Sequence, residues 1–572
     1  MYLKIILYTC IVALLQGQLL VAHGFIFQSP EHEEKVDVGC RECHAAVASI
    51  EELLSVGASE QELETLAIEI CIDFHLFIDD VCVEMVQLAA PQVLYVLNTT
   101  EHDVDTVCHV FFGTCKSTLP PWSIDVPGGK PDVVPPVVGD STYRILHLSD
   151  THFDPEYTEG TISNCDHPSC CRDWNDTITN DTVFAGRWGS ERGSCDPPLR
   201  TVEAALEVAR TLNPDIIYVT GDLSPHVVWM LTEEDIRASV VDTAAVIRRY
   251  FPDTPVAYTL GNHETVPVNS FPVPDVYPDG YSMDWLYPLL ETVWGDGGVP
   301  ESAMDTVRRG GYYHWSPVPG LRVVSLNVNY GYHENWFLLI NHVDPTGQLE
   351  WLAQVLLNAE AAGEKVHIIG HIPIGSLLEA FSHNMNLLIT RFESTIAAIF
   401  VGHSHFDKVQ LHWDVDNNTR PVSIAYFAPS LSSDGLKSPS FRMYEVDGPG
   451  GSWTVLESLT YSMNLTLANA GADPAFPLAY SATEAYDLPD LWPASWADLV
   501  FQMTEDDDLF NEFYGHYWSF WADPPELPDC GPECRADFLC PLVGGDRTDD
   551  EPCLRIKALV PGYYNVTESF VY

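Results

Sequence analysis

Positive charge is scarce in this chain: 27 Lys and Arg face 82 Asp and Glu, a formal net charge of −55 over 572 residues. That shortage excludes nucleic acid as a partner held through a basic patch. The acidity reads either as plain solubility or as an adaptation to acid, where protonating part of the carboxylates relieves self-repulsion and lets the protein approach an anionic membrane. Internal repeats and low-complexity tracts are missing too, which excludes a solenoid. Beyond the N-terminal region no apolar run reaches the roughly 18 residues of a membrane span, so a soluble chain without a transmembrane segment is expected. What is abundant is core-forming material: 46% of residues are hydrophobic and 11% aromatic, enough for several packed domains.

Residues 1–23 place one lysine before a short apolar run that ends in small residues, as in a secretory signal peptide. Removing them takes Cys10 away and leaves an even set of fourteen cysteines, which suits an oxidising compartment. Asn-x-Thr acceptors at Asn98, Asn175, Asn180, Asn417, Asn464 and Asn565 point to the same route, with glycosylation at each.

Six cysteines, Cys40, Cys43, Cys71, Cys82, Cys108 and Cys115, lie on segments of helical periodicity and mark a small disulfide-stapled helical domain over 38–118. Spacing alone leaves their pairing open. The prolines of 119–141 forbid a continuous helix and read as a semi-rigid linker. Over 142–446, near-continuous apolar runs such as RILHLSDTH, DIIYVTGD, PVAYTLGNHE, KVHIIGHIP and AAIFVGHSH alternate with helical stretches, the pattern of an α/β domain whose sheet is buried on both faces. From 447 to 572 the chain turns to aromatic-rich helical segments with Cys530, Cys534, Cys540 and Cys553, read as a helical C-terminal domain.

The runs of 142–446 end alike. Asp150 and His152 leave the first, Asp222 another, then Asn262 and His263, then His371, then His403 and His405. All are metal-ligand types, gathered where α/β folds place their sites. The ordered series D-x-H, G-D, G-N-H-E, G-H and G-H-x-H resembles the calcineurin-like metallophosphoesterases. That resemblance implies a two-layered β-sandwich core flanked by helices, and two metal ions sharing an aspartate. Asp150, His152, Asp222 and His405 would hold one ion, and Asp222, Asn262, His371 and His403 the other. His263 and His226 remain for leaving-group protonation or charge stabilisation. The imidazole-rich ligand sets favour two zinc ions.

The six N-terminal cysteines resemble a saposin B-type domain, which implies pairs Cys40–Cys115, Cys43–Cys108 and Cys71–Cys82 and a lipid-facing role. Saposin domain, linker, phosphoesterase and cysteine-bearing tail together resemble the acid sphingomyelinase family. The resemblance implies Cys165–Cys170, Cys171–Cys195, Cys530–Cys534 and Cys540–Cys553, hydrolysis of sphingomyelin to ceramide and phosphocholine, a monomer acting on a membrane sphingolipid at an anionic surface in acid, and a lysosomal or secreted location. The alternative is a relative that cleaves nucleotides or other soluble phosphoesters. Glu334 and Asp434 are the implied substrate contacts. A further disulfide usual in the family is absent, its positions being Gly331 and Leu377.

Overall fold

The computed structural model describes residues 40–563 apart from 74, 113–114, 117, 134–135, 175–176, 191, 436 and 520–529. The leader expected over 1–23, with Asn175 and Asn565, lies outside the described residues.

Among the described residues, twelve strands build two six-stranded sheets: β1 (Thr142–Leu148), β2 (Ile216–Val219), β3 (Val256–Tyr258), β4 (Tyr313–Val318), β5 (Leu321–Ser325), β6 (Lys365–Ile369), β7 (Ile396–Val401), β8 (Val409–Asp414), β9 (Asn417–Phe427), β10 (Ser440–Asp447), β11 (Val455–Ser462) and β12 (Leu478–Ser481). One sheet runs β12-β11-β10-β1-β2-β3 and the other β4-β5-β6-β7-β9-β8. Within them β1-β2-β3 and β5-β6-β7-β9 are parallel. The sheets face each other across a shared core. Tyr218 of β2 and His367 of β6 are hydrogen-bonded at 2.9 Å, and Phe400 of β7 packs on Tyr218 and on Tyr444 of β10. Helices cover the outer faces through apolar positions spaced three or four apart, as in Val202, Ala205, Leu206 and Ala209 of Leu199–Thr211. Glu233–Tyr250 starts at a capping box between Thr232 and Asp235.

One expectation is corrected. The boundary at 446 falls inside β10: β11 and β12 extend the β10 edge, and helices dominate only later, from Pro493–Gln502 onward. Strand β11 reads VLESLTYS without an apolar run, because its buried positions after Val455 are Ser458, Thr460 and Ser462 while Leu456, Leu459 and Tyr461 are only partly buried. In addition, among the described residues one helix, Asp79–Thr99, is long and apolar enough to cross a membrane by length and composition. It buries Val81, Met85, Val86, Val93, Leu94, Val96 and Leu97 within the protein.

Residues 40–112 form four helices tied by Cys40–Cys115, Cys43–Cys108 and Cys71–Cys82. They dock on the 270–342 loops: Phe111 stacks on Trp336, the Tyr95 hydroxyl donates to Asp279 at 2.6 Å, and Thr100 Oγ1 donates to the Leu339 carbonyl at 2.9 Å. The proline-rich linker is extended and pinned to the body. Asn384 bonds both Ile124 and Trp122, and Arg391 Nε donates to the Pro127 carbonyl.

One docking contact is acid-tuned. His109 Nε2 lies 2.8 Å from Glu379 Oε1, with the Arg547 guanidinium 3.5 Å from the same oxygen and half-buried His333 alongside. The Glu379 hydrogen bond, opposed by burial and helped by the Cys115 carbonyl, raises His109 above its ordinary 6.5. Burial would raise Glu379, but His109, a backbone N–H and Arg547 outweigh it and hold its carboxyl at about 2, below the ordinary 4.5. The His109 contribution is complete below pH 6.5 and fades as pH rises through the raised value; the Glu379 contribution is complete above 4.5 and is lost toward 2. Amide protection of helix 104–112 is therefore expected to be greater at pH 5 than at pH 8, and His109→Gln to remove the difference. Equal wild-type protection at both pH values would contradict this.

Candidate metal centre

The centre lies at the carboxyl ends of the parallel strands. Asp150, His152, Asp222, Asn262, His371 and His405 are buried, and His403 is half-buried at the mouth. Two clusters form. In one, His152 Nε2 and His405 Nε2 stand 3.2 Å apart, with Asp150 Oδ1 3.3 Å from His405 Nε2 and Asp222 Oδ2 3.6 Å from His152 Nε2. In the other, His371 Nε2 lies 3.0 Å from both Asp222 Oδ2 and Asn262 Oδ1, and His403 Nδ1 3.0 Å from Asn262 Oδ1. Asp222 Oδ2 thus belongs to both. The two histidines of GHSH part, one to each cluster.

The donor set fits cations. Facing imidazole nitrogens, two carboxylates and an amide oxygen converge in a buried space. Buried polar atoms of this kind are costly unless something satisfies them. The remaining ring nitrogens of His152 and His371 donate to the carbonyls of Ser224 and Thr220, each at 2.6 Å, which fixes tautomer and ring direction. His226 also converges with His152 and His405.

The backbone is bent to deliver these groups. Asp150, His152, Asp222, His403 and His405 have φ of 50°, 38°, 56°, 70° and 60°. Each such residue costs about 1–3 kcal/mol and persists only where its surroundings hold it. Part of the hold is Gly402, packed so closely that a Cβ there would stand 1.9 Å from Ser149 Oγ and 2.7 Å from Asp150 Oδ2. The His403 N–H donates to Asp150 Oδ1 at 3.0 Å across the same gap.

Without ions the cluster is electrically mixed. Burial works against the Asp222 carboxylate, yet His371, His263 and His403 hold it far below the ordinary range. Burial keeps His152, His263 and His405 well below theirs.

A calcineurin-like phosphoesterase family model matches residues 143–407, and a model described as the acid sphingomyelin phosphodiesterase C-terminal region matches 422–560. The chain is 37% identical over 551 residues to sphingomyelin phosphodiesterase of Bos taurus, covering 94% of this chain and 87% of that one. The chain belongs to the sphingomyelin phosphodiesterase family. It is 42% identical to the Homo sapiens sphingomyelin phosphodiesterase over 69% of this chain and 63% of that one. A cyclic GMP-AMP phosphodiesterase of Homo sapiens is 27% identical over 74% of this chain and 91% of that one.

Beside the clusters of this family member stand the two histidines assigned to proton work. His226 packs on His152 with ring centroids 3.9 Å apart, and His263 lies 4.8 Å from His152 and 5.0 Å from His226. Sequence reading missed Asp196, which grips His226 twice: its carboxylate accepts from the His226 N–H and from Nδ1, each at 2.6 Å. The His226 Nε2 is left buried and unpartnered. Burial would discharge this ring, but Asp196, Asp434 and Asp222 outweigh it and hold its pKa at about 9. Glu264 was missed as well. It accepts from the N–H groups of Gly261, Asp222 and Leu223 and so clamps the β2 exit to the β3 exit. Buried Lys437, its ammonium 4.7 Å from the Phe406 ring and without a hydrogen-bond partner, had no signal in sequence.

Of the expected substrate contacts, Glu334 is half-buried and accepts from Asn269, while Asp434 is buried with its N–H donating to Ser432 Oγ. Where the family's further disulfide is missing, Tyr332 and Leu377 form a backbone bridge, and a Cβ on Gly331 would stand 2.5 Å from the Phe381 ring. The remaining disulfides are Cys165–Cys170, Cys171–Cys195, Cys530–Cys534 and Cys540–Cys553. Cys171–Cys195 anchors the residue next to Asp196.

Proposed function

We propose that this chain hydrolyses sphingomyelin to ceramide and phosphocholine with two divalent cations, zinc in the native protein. The observation that carries the reading is the pair of buried donor clusters joined through Asp222 Oδ2, in a chain of the sphingomyelin phosphodiesterase family. Asp150, His152, Asp222 and His405 would hold one ion; Asp222, Asn262, His371 and His403 would hold the other. When bound, such ions polarise a phosphoryl oxygen and provide a nucleophilic hydroxide near neutral pH.

The protein's own groups do the rest. His226, held by Asp196 with Nε2 free, gives a proton from Nε2 to the departing ceramide oxygen. His263, also buried beside Asp222, stabilises charge on the phosphate. The 40–115 region acts as a saposin-type domain that presents membrane lipid beside the mouth, where Glu334 meets the headgroup and Asp434 sets its electrostatics. Exposed Asn98, Asn180 and Asn417 suit glycosylation, and the same reading makes the chain a lysosomal or secreted monomer acting at an acidic, anionic membrane.

A substrate panel tests the choice of lipid. Phosphocholine release from sphingomyelin vesicles near pH 5 should far exceed hydrolysis of a cyclic dinucleotide. Cleavage of the dinucleotide alone would replace the lipid reading with the nucleotide one.

A further inference from the structure

An asparagine ligand has a weakness that histidine and aspartate lack: rotating its carboxamide by half a turn replaces the binding oxygen with an NH2 group that repels a cation. Asn262 is buried with Oδ1 facing His371 Nε2 and His403 Nδ1, each at 3.0 Å, so something must hold its nitrogen on the other side. That partner is Asn269, whose Oδ1 accepts from Asn262 Nδ2 at 2.9 Å.

Asn269 is itself a carboxamide with two ends, and its direction is also set. Its Nδ2 donates to Glu334 Oε2 at 2.8 Å, which leaves only its oxygen for Asn262. Ionised, Glu334 has only acceptor oxygens, and protonated it still keeps one, so Asn269 Nδ2 retains an acceptor in either state. Asn269 is 1% exposed and sits at φ 67°, a conformation asparagine tolerates better than most residues, and its N–H donates to the Asn262 carbonyl at 3.1 Å. Side chain and backbone together close the 262–269 loop on the ligand.

We infer that Asn269 is a positioning residue that fixes which end of the Asn262 amide faces the metal centre, taking its direction from Glu334. This rests on the reading of Asn262 as a metal ligand and adds a second duty for Glu334 at the mouth. The neighbouring Ser270 hydroxyl bonds Gln92 of the docked helix Asp79–Thr99, so the relay ends one residue from the helical region.

Zinc binding by the full chain tests the inference, with equilibrium dialysis and metal counted per chain. Asn269→Leu, close in size but apolar, should weaken one of the two ions by about 10–100-fold and leave the other unchanged, the range expected when a group supporting a ligand is lost. Asn269→Asp still accepts from Asn262 but sets a second carboxyl against Glu334, and should also weaken that ion. Adding Glu334→Gln restores a donor to Asp at 269 and should recover the affinity. A wild-type chain that binds no zinc would defeat the metal reading itself. Wild-type binding of both ions by Asn269→Leu would overturn the positioning role alone. If Asn269→Leu fails to fold, the comparison of Asn269→Asp with the double variant decides, and absence of recovery overturns the inference.

Discussion

Asp222→Asn is expected to lose at least one ion and to cut turnover by more than about 10³-fold, since a metal ion contributes several kcal/mol to such reactions and each 1.4 kcal/mol or so is tenfold. The reason is geometric. Asp222 Oδ2 is 3.6 Å from His152 Nε2 and 3.0 Å from His371 Nε2, so one oxygen serves both clusters. The amide keeps the size but removes the charge, and its NH2 group can turn toward the cations. Folding should survive, because Glu264 still holds the Asp222 and Leu223 N–H groups. Metal content and turnover measured on one sample check this, and a variant with both ions and full activity would contradict it.

Gly402→Ala is expected to be nearly as severe, though no reacting group is changed. The added carbon would sit 1.9 Å from Ser149 Oγ and 2.7 Å from Asp150 Oδ2, so the β7 exit must move away from the β1 exit. His403 and His405 move with it. A displacement of about 1 Å at a reacting centre costs on the order of 10²-fold. The double variant with Ser149→Ala should recover only part of the activity, because the approach to Asp150 Oδ2 remains. Full activity of Gly402→Ala would mean that the loop is less constrained than the packing implies.

The centre was legible in sequence because parallel strands buried on both faces are written as apolar runs, and each run ends where its ligand begins. AAIFVGHSHFD is β7 followed directly by Gly402, His403 and His405. The supporting groups were not legible, because they come from elsewhere in the chain. Asp196 stands thirty residues before His226 and reaches it from a loop tied by Cys171–Cys195. Asn269 and Glu334 are separated by 65 residues and meet only in the fold. Strand β11 was hidden because its buried positions include Ser458, Thr460 and Ser462, so its sequence lacks the apolar run of the parallel strands. The helix Asp79–Thr99 was legible as helical from the periodicity around Cys82, and only its apolar length was masked, by Asp79, Asp80 and Glu84 at one end.

Phosphocholine release from sphingomyelin in anionic vesicles near pH 5 is the most direct measurement, made with untreated, chelator-dialysed and zinc-restored protein. Loss of release on dialysis and its return with zinc is the expected result. Release that survives complete removal of divalent cations would contradict a mechanism built on the two clusters around Asp222.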